Sequence, residues 1–292
     1  MISIVVISKN EPGIDGTLAD IAVQIRELDE PAEVIVVDAS GDRLDYIRER
    51  HTGTVRWEPF VPLPVVSVSI PHQRNSGVRS SAGKIIVFTD AGCRPEPDWL
   101  KNLIYPLYCG EQVTAGPAVT VSHVSGLYNN SMELARSSEY LSECPTINMA
   151  FHREVFDAVG GFDEKFSYGS DIDFSWRLVD AGYRIRSVPE AVVIRQDLGS
   201  WRRQLRRSYH YGRARARLYG KHHARMRKIL RTDPIVVIYP AFLLGLPLTI
   251  VFPLYPALLL IPAWRNRSVG AVRVLTDHLA FGAGILAELA LR

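Results

Sequence analysis

The chain has 292 residues, 47% of them hydrophobic and 22% charged, with 34 Lys and Arg against 31 Asp and Glu. That composition excludes an intrinsically disordered chain, a collagen-like repeat and a small disulfide-stapled domain, and the length supports one large α/β domain or two ordinary ones. Cys93, Cys109 and Cys144 form no CxxC pair and leave an odd thiol under any disulfide scheme, so a reducing, cytosolic setting is expected.

In chain order, ISIVVIS (2–8) predicts a first strand, followed by a helix over 17–28, a strand over 32–40, a helix near 42–50 and a further strand over 84–90. Continuous apolar runs of this kind mark strands buried on both faces, and their alternation with helices predicts an α/β fold with a mostly parallel sheet. Three of the strands end in polar or acidic residues: Ser8 to Glu11, Asp38 and Asp90. In an open parallel sheet the ligand crevice lies beyond the carboxyl ends of the strands, which disposes these groups towards a ligand. The alternative is an Asp that only opens a turn.

Residues 144–199 form a second block. Ser170 reads as the N-cap of a helix with Asp171 and Asp173 in its first turn, Phe174 and Leu178 on its apolar face and Gly182 as its stop. Acids at a helix start complement the macrodipole without any chemistry. Here, however, they follow an aromatic, glycine-containing loop (Phe166, Tyr168, Gly169), a segment type that carries function on a rigid scaffold.

Residues 201–231 hold twelve Lys and Arg and no acid, while the 31 residues of 234–264 hold no charged side chain. The N-terminus has a short apolar run without a basic flank, so no signal peptide is expected. A straight helix over 234–264 would be about 46 Å long against a hydrocarbon core of roughly 30 Å. Pro240, Pro247, Pro253, Pro256 and Pro262 recur through it and predict a bent or re-entrant hairpin, with Arg265, Arg267 and Arg273 returning to the cytoplasmic side. Residues 274–291 contain Asp277, His278 and Glu288 and read either as an interfacial helix or as a poorly hydrophobic second span. Beside this tail, the basic stretch reads as a surface for anionic headgroups, and no nucleic-acid partner is expected. Three segments result: a catalytic domain over 1–200, a basic juxtamembrane segment over 201–232 and a membrane-associated tail over 233–292.

VVISKNE (5–11), VIVVDASGD (34–42), the segment 74–100 with TDAGC, and 148–178 with GSDID occur in this order, and over residues 2–215 the chain resembles a family-2 glycosyltransferase of the GT-A fold, of the bacterial membrane-associated type. The resemblance implies that Ser8, Asn10 and Glu11 border the base and ribose of a nucleotide, that Asp38 accepts from the base, and that Arg74 lies near the nucleotide, a plain surface arginine being the alternative. It implies that Asp90 is the first acid of an Asp-x-Asp metal motif for Mg²⁺ or Mn²⁺, with Gly92 standing where the second acid is expected. One carboxylate with substrate diphosphate and waters can still hold Mg²⁺. Asp171 matches the general base of inverting members, with Ser170 in place of the usual acidic neighbour, and Asn148 falls in the acceptor-side block.

Gln204, Arg206 and Arg207 resemble part of the Gln-x-x-Arg-Trp signature of processive members, with Ser208 in place of the tryptophan. They are candidates for diphosphate or acceptor contact. The implied activity is transfer from a nucleoside-diphosphate sugar, UDP favoured over GDP or dTDP, to a membrane-presented or lipid-linked acceptor at the cytoplasmic face. A degenerate domain serving as a membrane-binding scaffold is the alternative. A dinucleotide-binding oxidoreductase is disfavoured because SKNEPGIDG after the first strand lacks the G-x-G-x-x-G turn.

Overall fold

The computed structural model describes residues 1–59, 69–122, 138–197, 200–265 and 270–291. The chain divides into two compact units, Met1–Val121 with Asn130–Gln196, and Ser122–Asn129 with Asp197–Arg292.

The first unit is built on β1 (Ile2–Ser8), whose seven residues are all buried, as its β-branched core Ile4–Ile7 requires of a central strand. β2 (Ala32–Asp38) and β4 (Ile85–Asp90) pair with it on either side in parallel, and β3 (Arg56–Pro59) extends the sheet beyond β2. The direction then reverses. β9 (Asn148–His152) runs antiparallel to both β4 and β6 (Val113–Ala115), and β10 (Ile185–Ser187) and β8 (Tyr140–Leu141) complete the order β3-β2-β1-β4-β9-β6-β10-β8. The parallel sheet expected from the sequence is therefore its first half. β5 (Cys93–Pro95), β11 (Val193–Asp197) and β7 (Ala118–Ser122) make a second, three-stranded sheet.

Period-two alternation sends neighbouring side chains to opposite faces. Ile2, Ile4 and Val6 join one core with α1 (Ile14–Arg26) and α4 (Trp99–Tyr108). Val5, Ile86 and Phe88 join another, in which Phe151, Phe156, Phe162 and Phe174 pack as tilted and stacked rings. Each fully buried side chain of this size contributes about 1.5–3 kcal/mol. Around the cores lie α2 (Asp45–Arg50), α3 (Ile70–Ser80), α5 (Arg153–Val159) and α6 (Ser170–Asp180).

The second unit contains α7 (Trp201–Lys221), α8 (Ile235–Leu244), α9 (Leu260–Arg265) and α10 (Ala271–Ala290). Between α8 and α9 the proline-rich stretch folds as two 3₁₀ turns, Leu246–Ile250 and Tyr255–Leu259, so the expected bending of 234–264 is a series of short pieces. Among the described residues no helix is long and apolar enough to cross a membrane. Arg267 lies outside the described residues.

The basic helix α7 turns part of its charge inward. Arg217 Nε and Arg213 Nε donate to the two oxygens of Glu288 on α10, at 2.7 and 3.0 Å, and Arg215 pairs with Asp233 at 2.6 Å. These bonds, Arg217 first, hold the Glu288 carboxyl below its usual range. The expected headgroup-facing stretch is thus partly an internal ion-pair partner of the tail.

α7 and α10 cross where each lacks a side chain. A Cβ on Gly284 would stand 2.0 Å from the Tyr209 carbonyl oxygen, and one on Gly212 1.9 Å from that of Phe281. In an open helix Gly→Ala stabilises by up to about 1 kcal/mol. Here the sign reverses: Gly284→Ala is expected to lower the urea midpoint by the equivalent of about 1–3 kcal/mol, the usual cost of overpacking, because the obstacle is backbone. An unchanged or raised midpoint would show that the helices are not this close.

Candidate active site

The register of β1 brings three chain-distant positions together at one sheet edge. Ser8 lies opposite Asp38, and Ile7 lies opposite Asp90. The loops leaving these strands are stitched to each other: Ser40 Oγ donates to Asp38 Oδ1 at 2.5 Å and accepts from the Asn10 N–H at 2.6 Å. Asn10 itself is left-handed (φ 53°), a conformation that asparagine tolerates better than most residues. Ser8 is buried, and its hydroxyl has no partner among the described residues. Beside Asp38 lies a small cavity of about 160 Å³ lined also by Asp42, Arg48, Trp57 and Glu58.

Arg74 is not a surface arginine. It is 5% exposed, its guanidinium packs 5.7 Å from the Phe162 ring centroid and 6.0 Å from that of Phe88, and its NH2 group donates to Asp90 Oδ1 at 3.1 Å. α3, whose start Ser69 caps by accepting from the His72 N–H, carries Arg74 into this position. The next residue of the helix, Asn75, fixes the 161–164 loop through its amide, donating to the Phe162 carbonyl and accepting from the Phe162 N–H.

α6 supplies the third acid. Its N-cap is Gly169 at φ 77°, and Ser170 is a buried first-turn residue, which corrects the expectation that Ser170 caps the helix. Asp173 is wholly buried and paired with Arg177 at 2.9 Å, while Arg177 also donates to the carbonyls of Val159 and Gly161. Asp173 is therefore a structural acid. Asp171 is different. Burial raises its carboxyl above the usual carboxylate range, opposed by the positive charge of Arg74 and by the Ile172 N–H donating to Oδ1 at 2.9 Å, with Glu143 adding a further upward push. A carboxylate so poised is a stronger base than an exposed one.

Asn148 requires a correction. Expected against the acceptor or the diphosphate, it is wholly buried, its Oδ1 accepting from Trp99 Nε1 at 2.8 Å and its Nδ2 donating to the carbonyls of Pro117 and Ala191. Both of its N–H donors and its carbonyl oxygen are engaged inside the fold. Gln204, Arg206 and Arg207 belong to the second unit, where Gln204 Nε2 donates to Asp277 at 3.4 Å, the charge of Arg207 bears on the same carboxylate, and Arg206 is exposed. Cys93 and Cys144 are buried free thiols, which burial pushes up to about 12, so neither serves as a nucleophile.

Trp57, Arg48 and Glu143 were not singled out from the sequence. Trp57 lies on β3, Arg48 on α2 and Glu143 after β8, and their meeting with Asp38 or Asp171 depends on tertiary packing, which has no local signal in the sequence. Among the described residues no three His, Cys, Asp or Glu side chains form a metal-holding group. A cation at Asp90 would therefore need oxygen ligands from a bound diphosphate, and Mg²⁺ or Mn²⁺ accepts such mixed coordination.

The family description "Glycosyl transferase family 2" matches residues 3–162, and "Glycosyl transferase family group 2" matches residues 112–266. A pre-mycofactocin glycosyltransferase of Mycobacterium tuberculosis is 28% identical over 163 residues, 51% of this chain and 34% of that protein. The succinoglycan biosynthesis protein ExoA of Rhizobium meliloti is 31% identical over 153 residues, 47% of this chain and 45% of that protein. The chain thus spans less than half the length of these curated relatives. The solved mannosyltransferase PcManGT from Pyrobaculum calidifontis, in complex with GDP-Man and Mn²⁺, superposes with a TM-score of 0.64 at 20% identity, covering 99% of this chain and 86% of that one, a likeness of fold.

Proposed function

This chain belongs to glycosyl transferase family 2, and on that premise we propose that it is an inverting enzyme transferring a sugar from a nucleoside-diphosphate donor to a membrane-presented or lipid-linked acceptor at the cytoplasmic face. The observation that carries the reading is Asp171: a burial-raised carboxylate at a helix start, under the charge of a buried arginine that itself holds Asp90. Asp171 takes the proton from an acceptor hydroxyl as that oxygen attacks the anomeric carbon opposite the leaving group, a single displacement that inverts the centre. Arg74 orients Asp90 and supplies positive charge on the donor side. Asp38, with Ser40 holding one of its oxygens, addresses the nucleobase at the cavity beside Trp57. When bound, Mg²⁺ or Mn²⁺ would act as a Lewis acid for the departing diphosphate. The expectation of UDP finds no support: the fold neighbour carries GDP-Man, and nothing in the cavity discriminates.

Two features of the second unit support a lipid surface. Ile250, Val251, Phe252, Leu254 and Trp264 are each more than 60% exposed, an amount of large apolar surface that calls for a partner. An apolar cavity of about 890 Å³ also opens there, lined among others by Tyr239, Phe242, Leu258, Ile261 and His278, a lining suited to a hydrocarbon chain.

The test is thermal unfolding of the whole chain with UDP, GDP and dTDP, each with Mn²⁺ and with EDTA, beside flotation on neutral and anionic vesicles. One nucleotide at a hundredfold excess over its dissociation constant is expected to stabilise the fold by about 2.7 kcal/mol. Flotation is expected to strengthen with anionic lipid. A folded protein that answers no nucleotide yet floats would be the scaffold; one that binds a nucleotide and ignores vesicles would lose only the membrane half of the reading.

A further inference from the structure

The turn after β4 lacks its second acid, and the space that such an acid would enter is filled by another carboxylate. A Cβ built on Gly92 would lie 3.0 Å from the carboxyl carbon of Glu11 and 3.3 Å from its Oε1. The same oxygen accepts from the Gly13 N–H at 3.0 Å, which turns the Glu11 carboxylate back over the Asp90–Gly92 turn. Hydrogen bonds tie the Asp90–Gly92 turn to β1 and α1: the Ala91 N–H donates to the Ile7 carbonyl at 3.0 Å, the Gly92 N–H to the side-chain Oγ1 of Thr17 at 3.1 Å, and Thr17 Oγ1 to the Cys93 carbonyl at 2.7 Å. A Cβ on Gly13 would itself stand 3.0 Å from Gly92 Cα, so the approach depends on both positions lacking a side chain.

We propose that Glu11, from the loop after β1, is the second carboxylate of the site that binds a nucleoside diphosphate with its divalent cation, replacing the acid absent at position 92. The proposal rests on the donor class read above.

Charge argues for it. Asp90 is paired with Arg74, so that couple alone brings no net negative charge to a dication. Glu11 restores it, is exposed to an incoming ligand, and offers the hard oxygen that Mg²⁺ and Mn²⁺ select. With two protein carboxylates, the remaining positions fall to diphosphate oxygens and water, so the cation should bind together with the nucleotide and weakly without it.

The experiment measures Mn²⁺ binding by loss of the free-ion electron paramagnetic resonance signal, using the full chain with GDP or UDP, and nucleotide binding in EDTA by calorimetry. For Glu11→Gln the expected result is a loss of Mn²⁺ affinity of about tenfold or more in the presence of nucleotide, with metal-free nucleotide affinity within about twofold of the parent. As a rescue, Glu11→Ala with Gly92→Asp, in protein shown to be folded, should regain Mn²⁺ binding: removing the long acid opens the room that the short one needs, and aspartate tolerates the left-handed backbone at position 92 (φ 81°) better than most residues. Gly92→Asp alone meets Glu11 and should gain nothing.

Equal losses with and without metal in Glu11→Gln would make Glu11 a ribose contact and overturn the proposal, as would unchanged Mn²⁺ binding. Parent protein that binds nucleotide in EDTA as well as in Mn²⁺ overturns it while leaving the donor reading intact. Parent protein that binds no nucleotide at all overturns both.

Discussion

Asp171→Asn is expected to lower sugar transfer by about 10²–10⁴-fold, the range over which a positioned general base acts, while leaving nucleotide affinity unchanged. The substitution is nearly isosteric and keeps an oxygen for the Ile172 N–H, so it removes the base without opening a cavity. Stability provides a control with a definite sign. The folded carboxyl titrates above its unfolded value, so the native state favours the protonated form; the associated stability is fully present below the unfolded value and is lost as pH rises through the folded one. Above the folded value the ionised side chain is therefore a cost, and Asn should leave the melting temperature unchanged or raise it.

The pH profile provides a second check on the same residue. The acid limb of kcat/KM follows ionisation of this group in the free enzyme. It should lie above that of an exposed aspartate, and Arg74→Met should move it further up, because Arg74 is the main opposing charge. A full-rate Asp171→Asn enzyme would place the base elsewhere. An inactive, folded protein whose nucleotide response is also gone would instead point to a donor-side role for Asp171.

What the sequence made legible follows the range of the forces involved. Strands β1, β2 and β4 announce themselves because burial on both faces demands unbroken apolar runs, and that requirement is local. The reversal at β9 has no local signal: NMAFH is as apolar as a parallel strand, and its direction is set by the connections around it. Asp90 and Asp171 were readable as acids at the ends of predicted elements. The Arg74–Asp90 pair was not, since it spans two elements whose packing the sequence does not print. Ser170 failed as a cap because the left-handed Gly169 before it takes the N-cap position, which moves the serine into the first turn and into the core. In the basic stretch 201–231 the sequence showed the charges and left out their partners, since Glu288 lies 71 residues beyond Arg217.

Asn148 shows the same limit in a form that can be measured. Its place in a block resembling the acceptor side suggests a polar group reaching for substrate, whereas the fold uses it to join three separate segments: Trp99 at the start of α4, Pro117 before β7 and Ala191 before β11. Asn148→Ala would leave the Trp99 indole N–H and the Ala191 carbonyl without their partner in a wholly buried place, while the Pro117 carbonyl keeps the Val193 N–H. Leaving a buried polar group unsatisfied costs about 1–3 kcal/mol, and the two together are expected to destabilise the protein by about 2–4 kcal/mol, a large effect for a single substitution.

Denaturant unfolding of the whole chain gives the number, and transfer kinetics give the contrast. An acceptor contact would raise KM for the acceptor and leave the unfolding midpoint alone. The buried network predicts the reverse, a large fall in midpoint with KM unchanged in whatever fraction stays folded. Asn148→Asp sharpens the comparison: it keeps an acceptor for Trp99 Nε1 but turns a donor towards two carbonyls into a second acceptor, ionised at neutral pH and buried beside their lone pairs. It should therefore fold less well than Asn148→Ala, an order that no substrate-contact role would produce.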